Sequence, residues 1–393
     1  MKITLIAGAR PNFMKVAPII KAIKASNGLT DERVNGLRDE RISYRLVHTG
    51  QHYDKNMSDT FFEELGIPAP DVNLGCGGGS QAEQTAAIMV AFEKELMAHP
   101  ADIVMVVGDV TSTMACSIVA KKLNTKVCHV EAGIRSWDLT MPEEINRMVT
   151  DSLADYMFTT SEVANRNLVR QGAVLMDERM NGLTDERVQQ RVWFVGNVMI
   201  DTLLANRARF RKPEIWDELG LKDKEFIVMT MHRPANVDEE NHLRAMMEQI
   251  VDNVHGLPVI FPIHPRTAKL LFGLEGERVR GLEEWPNLHI VEPMGYLEFN
   301  YLVERAKAVV TDSGGITEET TVMGVPCITL RDNTERPETC TVGTNELIGT
   351  NPAAIKPALD KLFAGEWKKG AIPKLWDGHT AERIVDILSA LEI

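Results

Sequence analysis

Short runs of Val, Ile, Leu and Met alternate along this chain with longer stretches whose apolar positions recur every three or four residues. That alternation predicts repeated β-α units and parallel sheets. A strand buried on both faces reads as a continuous apolar run, and its crossover helix shows a 3.6-residue period. In the first half the runs fall near Lys2–Ala7, Tyr44–His48, Asp102–Gly108, Lys126–Glu131, Tyr156–Thr160 and Val192–Gly196. A polar stretch near Arg207–Asp217 interrupts the pattern. It restarts with strands predicted near Phe226–Met231, Pro258–Ile263, Leu288–Val291, Ala308–Thr311 and Cys327–Leu330. The chain closes on a helix, about Thr380–Leu391, with Ile384, Ile387, Leu388 and Leu391 at helical spacing. Its 393 residues suit two α/β domains, each able to bury a core.

The ends of these runs are polar in a regular way. Gly8–Asn12 comes after the first and Gly50–Asp54 after the second; Asp109 ends the third, Glu131 the fourth and Gly196-Asn197 the sixth. In the second half His232–Pro234, His264–Arg266, Ser313–Gly315 and Arg331–Asn333 take the same place. Open α/β sheets bind ligands outside the carboxyl ends of their strands, so two sheets facing each other across a ligand cleft are expected.

The stretch Thr311–Glu319 is the centre of that expectation. A strand, then Ser313-Gly314-Gly315, then a helix read near Glu318–Met323 offers backbone N–H groups and a helix N-terminus to an anion. Glu318 and Glu319, one turn in, stand where a carboxylate reaches sugar hydroxyls. In Gly8–Lys15, Arg10 and Lys15 lie near a helix start, where cations oppose the dipole unless an anion sits there. His232-Arg233 reads as a phosphate contact, and neither His232 nor His264 has an acid or cysteine at metal-ligand spacing. Ser80–Glu83, after Gly77–Gly79, is a capping box opening a helix to about Met97.

Three carboxylates carry the candidate chemistry. Asp109 and Glu131 end neighbouring runs, and Glu143 lies in Pro142–Arg147, where proline followed by acids is also helix-start chemistry. Proton transfer at carbon needs groups able to take a proton on one face and return it on the other.

Charge and cysteine usage narrow the partners. Asp and Glu number 56 against 43 Lys and Arg, a net charge of −13, which argues against nucleic acid and anionic membranes but leaves an anionic small molecule open. The five cysteines (Cys76, Cys116, Cys128, Cys327 and Cys340) are odd in number and never spaced as Cys-x-x-Cys, which argues against disulfides or a zinc cluster and for a reducing compartment. Met1 leads straight into the first strand and no apolar run reaches membrane-spanning length, so a cytoplasmic protein is expected. One feature stands outside the pattern: Asn27–Val34 recurs as Asn181–Val188, with a near-copy at Asn35–Arg41, and reads as a repeated insertion in surface loops.

Taken together, Gly8–Lys15, Thr49–Asp54, Gly108-Asp109, Glu131–Ser136, Pro142–Arg147, Gly196–Asp201, His232–Asn236, Pro262–Pro265, Asp312–Glu319 and Glu335–Glu338 resemble the UDP-N-acetylglucosamine 2-epimerase family, in order and over nearly the whole chain. The resemblance implies a GT-B fold. Drawn on this chain, that is two Rossmann-like doubly wound domains, residues 1–203 and 204–375, with the last helix (376–393) crossing back to the first, as a homodimer. It implies UDP on the second domain, with Ser313 and Gly314 at phosphate, Glu319 at ribose and Phe299 near uracil. Arg10 and His232 would approach the diphosphate and reaction centre, and Asp109, Glu131 and Glu143 would serve catalysis beside His232. Lys15, Arg135, Arg147, Arg233, His264 and Gly315 complete the expected binding set. The implied reaction inverts C2 of the sugar, giving UDP-N-acetylmannosamine through elimination of UDP to 2-acetamidoglucal and re-addition, with no metal and no nicotinamide. A hydrolysing relative, which releases N-acetylmannosamine and UDP, shares most of these motifs, and a GT-B glycosyltransferase is the alternative from another class. The chain departs from the family at Gly77–Ser80, where some bacterial members carry the Arg of an activating second UDP-N-acetylglucosamine site.

Overall fold

The computed structural model describes residues 1–28, 42–51, 65–176, 189–263 and 285–391. The chain divides into two compact units, Met1–Ala205 with Lys374–Ile393, and Asn206–Pro373.

The first unit is built on eight parallel strands: β1 (Lys2–Ala7), β2 (Ser43–His48), β3 (Val72–Asn73), β4 (Ile103–Val107), β5 (Lys126–Val130), β6 (Tyr156–Thr159), β7 (Val174–Leu175) and β8 (Arg191–Phe194). Their order is β3-β2-β1-β4-β5-β6-β8-β7. The second unit has six: β9 (Ile227–Thr230), β10 (Val259–Pro262), β11 (Leu288–Val291), β12 (Ala308–Thr311), β13 (Cys327–Thr329) and β14 (Asn345–Leu347), ordered β11-β10-β9-β12-β13-β14 and all parallel. Every apolar run named from the sequence is a strand. Runs expected to include their terminal polar residue stop short of it, so Gly108, Glu131 and Gly196 belong to turns. Strands β3, β7 and β14 have two or three residues and lie at sheet edges, too short to show a period.

Within each sheet the strand order reverses at an interior position, between β1 and β4 and between β9 and β12. Each reversal leaves a crevice where two turns leave the sheet toward opposite faces, the ligand position of doubly wound sheets. Central strands are buried throughout, as in β4 (Ile103, Val104, Met105, Val106, Val107), which is why the apolar runs are continuous.

The terminal helix, Thr380–Ser389, buries Ile384, Val385 and Leu388 and packs on the helix Arg10–Ser26 of the first unit. The carboxylate of Asp201 accepts the N–H groups of Thr380 (3.1 Å) and Ala381 (2.6 Å), supplying the cap that the helix lacks locally. Ahead of it, Trp376 is 1% exposed and its indole N–H donates to Thr160 O at 2.9 Å. An anchor of that size is worth about 3–5 kcal/mol on truncation to Ala, enough to hold the returning segment in place.

The repeated tracts fall almost entirely outside the described residues. At the edge of the first, the Asn27 amide donates to Ile42 O (2.7 Å) and accepts from Ile42 N (3.4 Å), so the two ends of the connection are tied together. Among the described residues, no helix is long and apolar enough to cross a membrane.

Candidate active site

In the first unit the switch point is sewn shut by Asn12. Its Oδ1 accepts the N–H groups of Gly8 and Ala9 (both 3.0 Å), and its Nδ2 donates to Val107 O (2.9 Å), fixing the β1 turn against the end of β4. Arg10 opens the following helix and is exposed. Lys15, one turn later, points inward: its ammonium pairs with the Glu131 carboxylate, and neither side chain is more than 9% exposed. Glu131 adopts φ +72°, a left-handed conformation rare for a side-chain-bearing residue, while its N–H and that of Ala132 both donate to Phe158 O at 3.0 Å. Gly108, in the turn after the adjoining strand β4, has φ +67°, and a Cβ there would lie 2.8 Å from Lys15 Nζ and 3.3 Å from Glu131 Oε2. Glycine at 108 is therefore required twice, by its backbone and by the ion pair beside it.

Asp109 comes next. Its Oδ2 accepts from Arg147 Nε at 3.0 Å and pairs with Nη2, while Asn146 donates to its carbonyl (2.9 Å). Arg147 is itself buried and also binds Glu144 at 2.6 Å. The two neighbouring acids of Pro142–Arg147 thus separate in role. Glu144 is fully buried and accepts Ser136 N, Ser136 Oγ and Trp137 N, so it ties down the preceding loop; Glu143 is exposed on the first helical turn.

Arg135 is where the placement departs from the expectation of a ligand contact. Its side chain has no exposed surface, because Nη2 binds Asp151 at 2.6 Å and Nη1 donates to Ile134 O. Asp151 also lies 2.7 Å from His129 Nδ1 and accepts Gly133 N, and His129 Nε2 donates to Gly108 O at 2.9 Å. Burial alone would raise the Asp151 carboxyl, but His129 and then Arg135 hold it below its ordinary value. These residues brace the turns that carry Asp109 and Glu131. Sequence reasoning gave His129 and Asp151 no task, since one sits inside a strand and the other inside a helix.

In the second unit, the helix runs Gly314–Met323 and so begins four residues ahead of Glu318, at the glycines themselves. Its first N–H groups therefore belong to the Ser313–Gly315 turn, which strengthens the anion-site geometry. A Cβ on Gly314 would lie 3.3 Å from Glu335 Oε1, whereas one on Gly315 would meet nothing within 4 Å, and neither residue has a positive φ. Among the described residues nothing requires glycine at 315; the space it leaves suits a ligand approaching the backbone. Asp312, at the end of β12, is wholly buried and accepts Arg233 N (2.9 Å), His232 N (3.1 Å) and Asn236 Nδ2 (3.1 Å), with His232 Nδ1 at 2.9 Å. Arg233 donates from Nε to Asp312 O at 3.0 Å and has Nη2 3.8 Å from Glu335. Glu335 is bound by Arg331 at 2.7 Å, and Glu318 pairs with Arg336.

Glu319 is buried and accepts from Tyr296 Oη at 2.8 Å; burial drives its carboxyl up to about 7, against the opposing pull of that hydrogen bond. Phe299 lies one turn along the helix Tyr296–Arg305, partly buried against the core around Phe226 and Val228. His264 lies outside the described residues. Among the described residues no group of three His, Cys, Asp or Glu side chains is placed to hold a metal.

Comparison with known proteins matches the same regions. The family model described as UDP-N-acetylglucosamine 2-epimerase matches residues 36–389. The chain is 38% identical over 396 residues to the UDP-N-acetylglucosamine 2-epimerase of Methanocaldococcus jannaschii, covering 99% of both. The crystal structure of that enzyme in complex with UDP-GlcNAc and UDP matches with a TM-score of 0.81 over 99% of both chains. A Pseudomonas aeruginosa relative, UDP-2,3-diacetamido-2,3-dideoxy-D-glucuronate 2-epimerase, is 36% identical over 353 residues, 89% of this chain and 88% of its own. Two doubly wound α/β units of GT-B type, the matched family model and near-complete coverage at this identity give one conclusion: the chain belongs to the UDP-N-acetylglucosamine 2-epimerase family.

Proposed function

We propose that the protein inverts C2 of UDP-N-acetylglucosamine, interconverting it with UDP-N-acetylmannosamine without hydrolysis. The observation that carries this reading is the pair Asp109 and Glu131, leaving the ends of paired strands β4 and β5, each seated against its own cation, Arg147 and Lys15. Such carboxylates can take up and return a proton.

The C2 proton is not acidic, so its loss has to be coupled to a good leaving group. The C1–O bond breaks with its electron pair passing to the diphosphate, the C2 proton passes to a carboxylate, and 2-acetamidoglucal remains; re-addition of UDP with protonation on the opposite face gives the product. Charge developing on UDP is met by the N–H groups of Ser313–Gly315, the helix N-terminus, the cations Arg10 and Arg233 and the imidazoles of His232 and His264. Glu319 takes the ribose and Phe299 the uracil, while exposed Glu143 supplies a third carboxylate. Lys15, Arg135 and Arg147 serve by holding Glu131, Asp151 and Asp109. No nicotinamide or metal is needed. The protein works as a cytoplasmic homodimer.

The test is proton NMR of the purified protein with UDP-N-acetylglucosamine in D2O. UDP-N-acetylmannosamine with deuterium at C2 is the expected product. Free N-acetylmannosamine with UDP would move the reaction to the hydrolysing relative, and product without C2 deuterium would exclude elimination and favour a transferase acting at C1. A second substrate belongs in the assay, because the 36% identical Pseudomonas relative acts on a diacetamido uronate; faster turnover of that compound would reassign the sugar while keeping the C2 chemistry.

A further inference from the structure

Asp312 has no part in the chemistry proposed above, yet it ties together the second unit's switch point. Its carboxylate has no exposed side-chain surface, and its two oxygens have different tasks. Oδ2 holds the loop after β9, accepting Arg233 N at 2.9 Å, His232 N at 3.1 Å and Asn236 Nδ2 at 3.1 Å. Oδ1 faces the His232 ring, 2.9 Å from Nδ1, with His232 N a further 3.2 Å contact. The His232 side chain stays 42% exposed.

We propose that Asp312 is a positioning residue for His232, fixing the imidazole proton on Nδ1 so that Nε2 is the nitrogen that meets the sugar nucleotide. This rests on the reading that His232 acts in the reaction. The physical reason is the one-way chemistry of a carboxylate. An ionised carboxylate only accepts, so the ring nitrogen beside it carries the proton, and a neutral ring then presents an Nε2 lone pair. Asp312 is kept in that accepting form: burial pushes its carboxyl up, but the contacts with His232, Arg233 N and Asn236 bring it below its ordinary value. When the ring takes a second proton, the same carboxylate balances the imidazolium, and Nε2–H becomes a donor aimed at charge developing on the departing diphosphate.

The division of labour between the oxygens makes the idea testable with Asp312→Asn. An amide oxygen in the Oδ2 place keeps Arg233 N, His232 N and Asn236. The amide nitrogen then faces Nδ1 as a donor and forces the proton to Nε2. In wild-type protein labelled with 15N-histidine and free of UDP, His232, one of ten histidines and assigned with His232→Gln, is expected as the Nδ1–H tautomer. In Asp312→Asn it is expected as Nε2–H, with kcat down roughly 10²–10⁴-fold, the scale of acid–base catalysis lost through a wrong tautomer, and UDP Kd by calorimetry within a few-fold. Asn236→Ala, which removes one Oδ2 contact and the bond from Asn236 Nδ2 to Leu330 O but leaves Oδ1 and the His232 ring untouched, should loosen the loop without switching the tautomer. An Nε2–H tautomer in the wild type, an unchanged tautomer in Asp312→Asn, or a switched tautomer with undiminished kcat would each overturn the proposal. The tautomer is read without substrate, so a wild type that fails to epimerise while the ring responds to Asp312 would count against the proposed reaction and leave the positioning intact.

Discussion

Gly315→Ala should raise stability and lower ligand affinity together, and opposite signs from one methyl group are hard to obtain any other way. Gly315 lies in the first turn of the helix Gly314–Met323, has no positive φ, and among the described residues has no atom within 4 Å of where a Cβ would stand. For the folded protein alone, alanine is the better residue, by up to about 1 kcal/mol from lost unfolded-state freedom and better helix propensity. For a unit of this size that raises Tm by about 2–4 °C. A phosphate oxygen approaching the backbone would instead meet the new methyl. Losing one charge-assisted hydrogen bond costs about 1.5–3 kcal/mol, roughly a 10- to 150-fold weaker Kd for UDP. Calorimetric titration with UDP and thermal melting of the same preparation read both effects. Gly324→Ala is the control: Gly324 ends the same helix at φ +70°, so alanine there should cost about 1–2 kcal/mol and leave UDP affinity alone. Gly314 is a poorer probe, since its Cβ would press on Glu335. Unchanged UDP affinity in a stabilised Gly315→Ala protein would refute the placement of the diphosphate on this turn.

Gly108→Ala should do the reverse in the first unit. A left-handed alanine costs about 1–2 kcal/mol and its methyl strikes the Lys15–Glu131 pair, so urea unfolding should show a loss of about 2 kcal/mol or more, with turnover down at least roughly tenfold and UDP affinity kept. The carboxyl of Glu319, raised to about 7 from 4.5 by burial, gives stability that is complete below pH 4.5 and lost as pH rises through 7. That loss is on the order of 3 kcal/mol, and Glu319→Gln should flatten the pH dependence of unfolding in this window. Deleting residues 29–41 should leave turnover within a few-fold of wild type in the NMR assay, because Asn27 already ties the two ends of that connection.

How much of the molecule is legible in the sequence depends on how far each signal reaches along the chain. The strands of both sheets are readable because burial on two faces leaves a local mark, an unbroken apolar run such as Ile103–Val107. Edge strands of two or three residues, β3, β7 and β14, leave none. Candidate residues are readable for a related reason. The doubly wound topology places every strand's carboxyl end on one side, so polar residues after apolar runs have to gather at two crevices, and Gly8–Lys15, Asp109, His232 and Ser313–Gly315 all leave strands that border them. The partners that hold these residues are not readable, because their signal is tertiary. Lys15 reads as a cation waiting for a bound anion near a helix start until Glu131, 116 residues later, is found against it. Glu143 and Glu144 are the same residue type in adjacent positions, and only the loop Ser136-Trp137 folding over one of them tells a structural carboxylate from an exposed one. Asp312 stands inside the stretch that matters most, yet its role depends on the neighbouring strand β9 delivering His232, some 80 residues earlier, to within 2.9 Å. Spacing along the chain thus identifies which residues reach the ligand side of a sheet. Which of them are held ready to react is decided by charges arriving from other strands, and those pairings are where substitutions will separate chemistry from support.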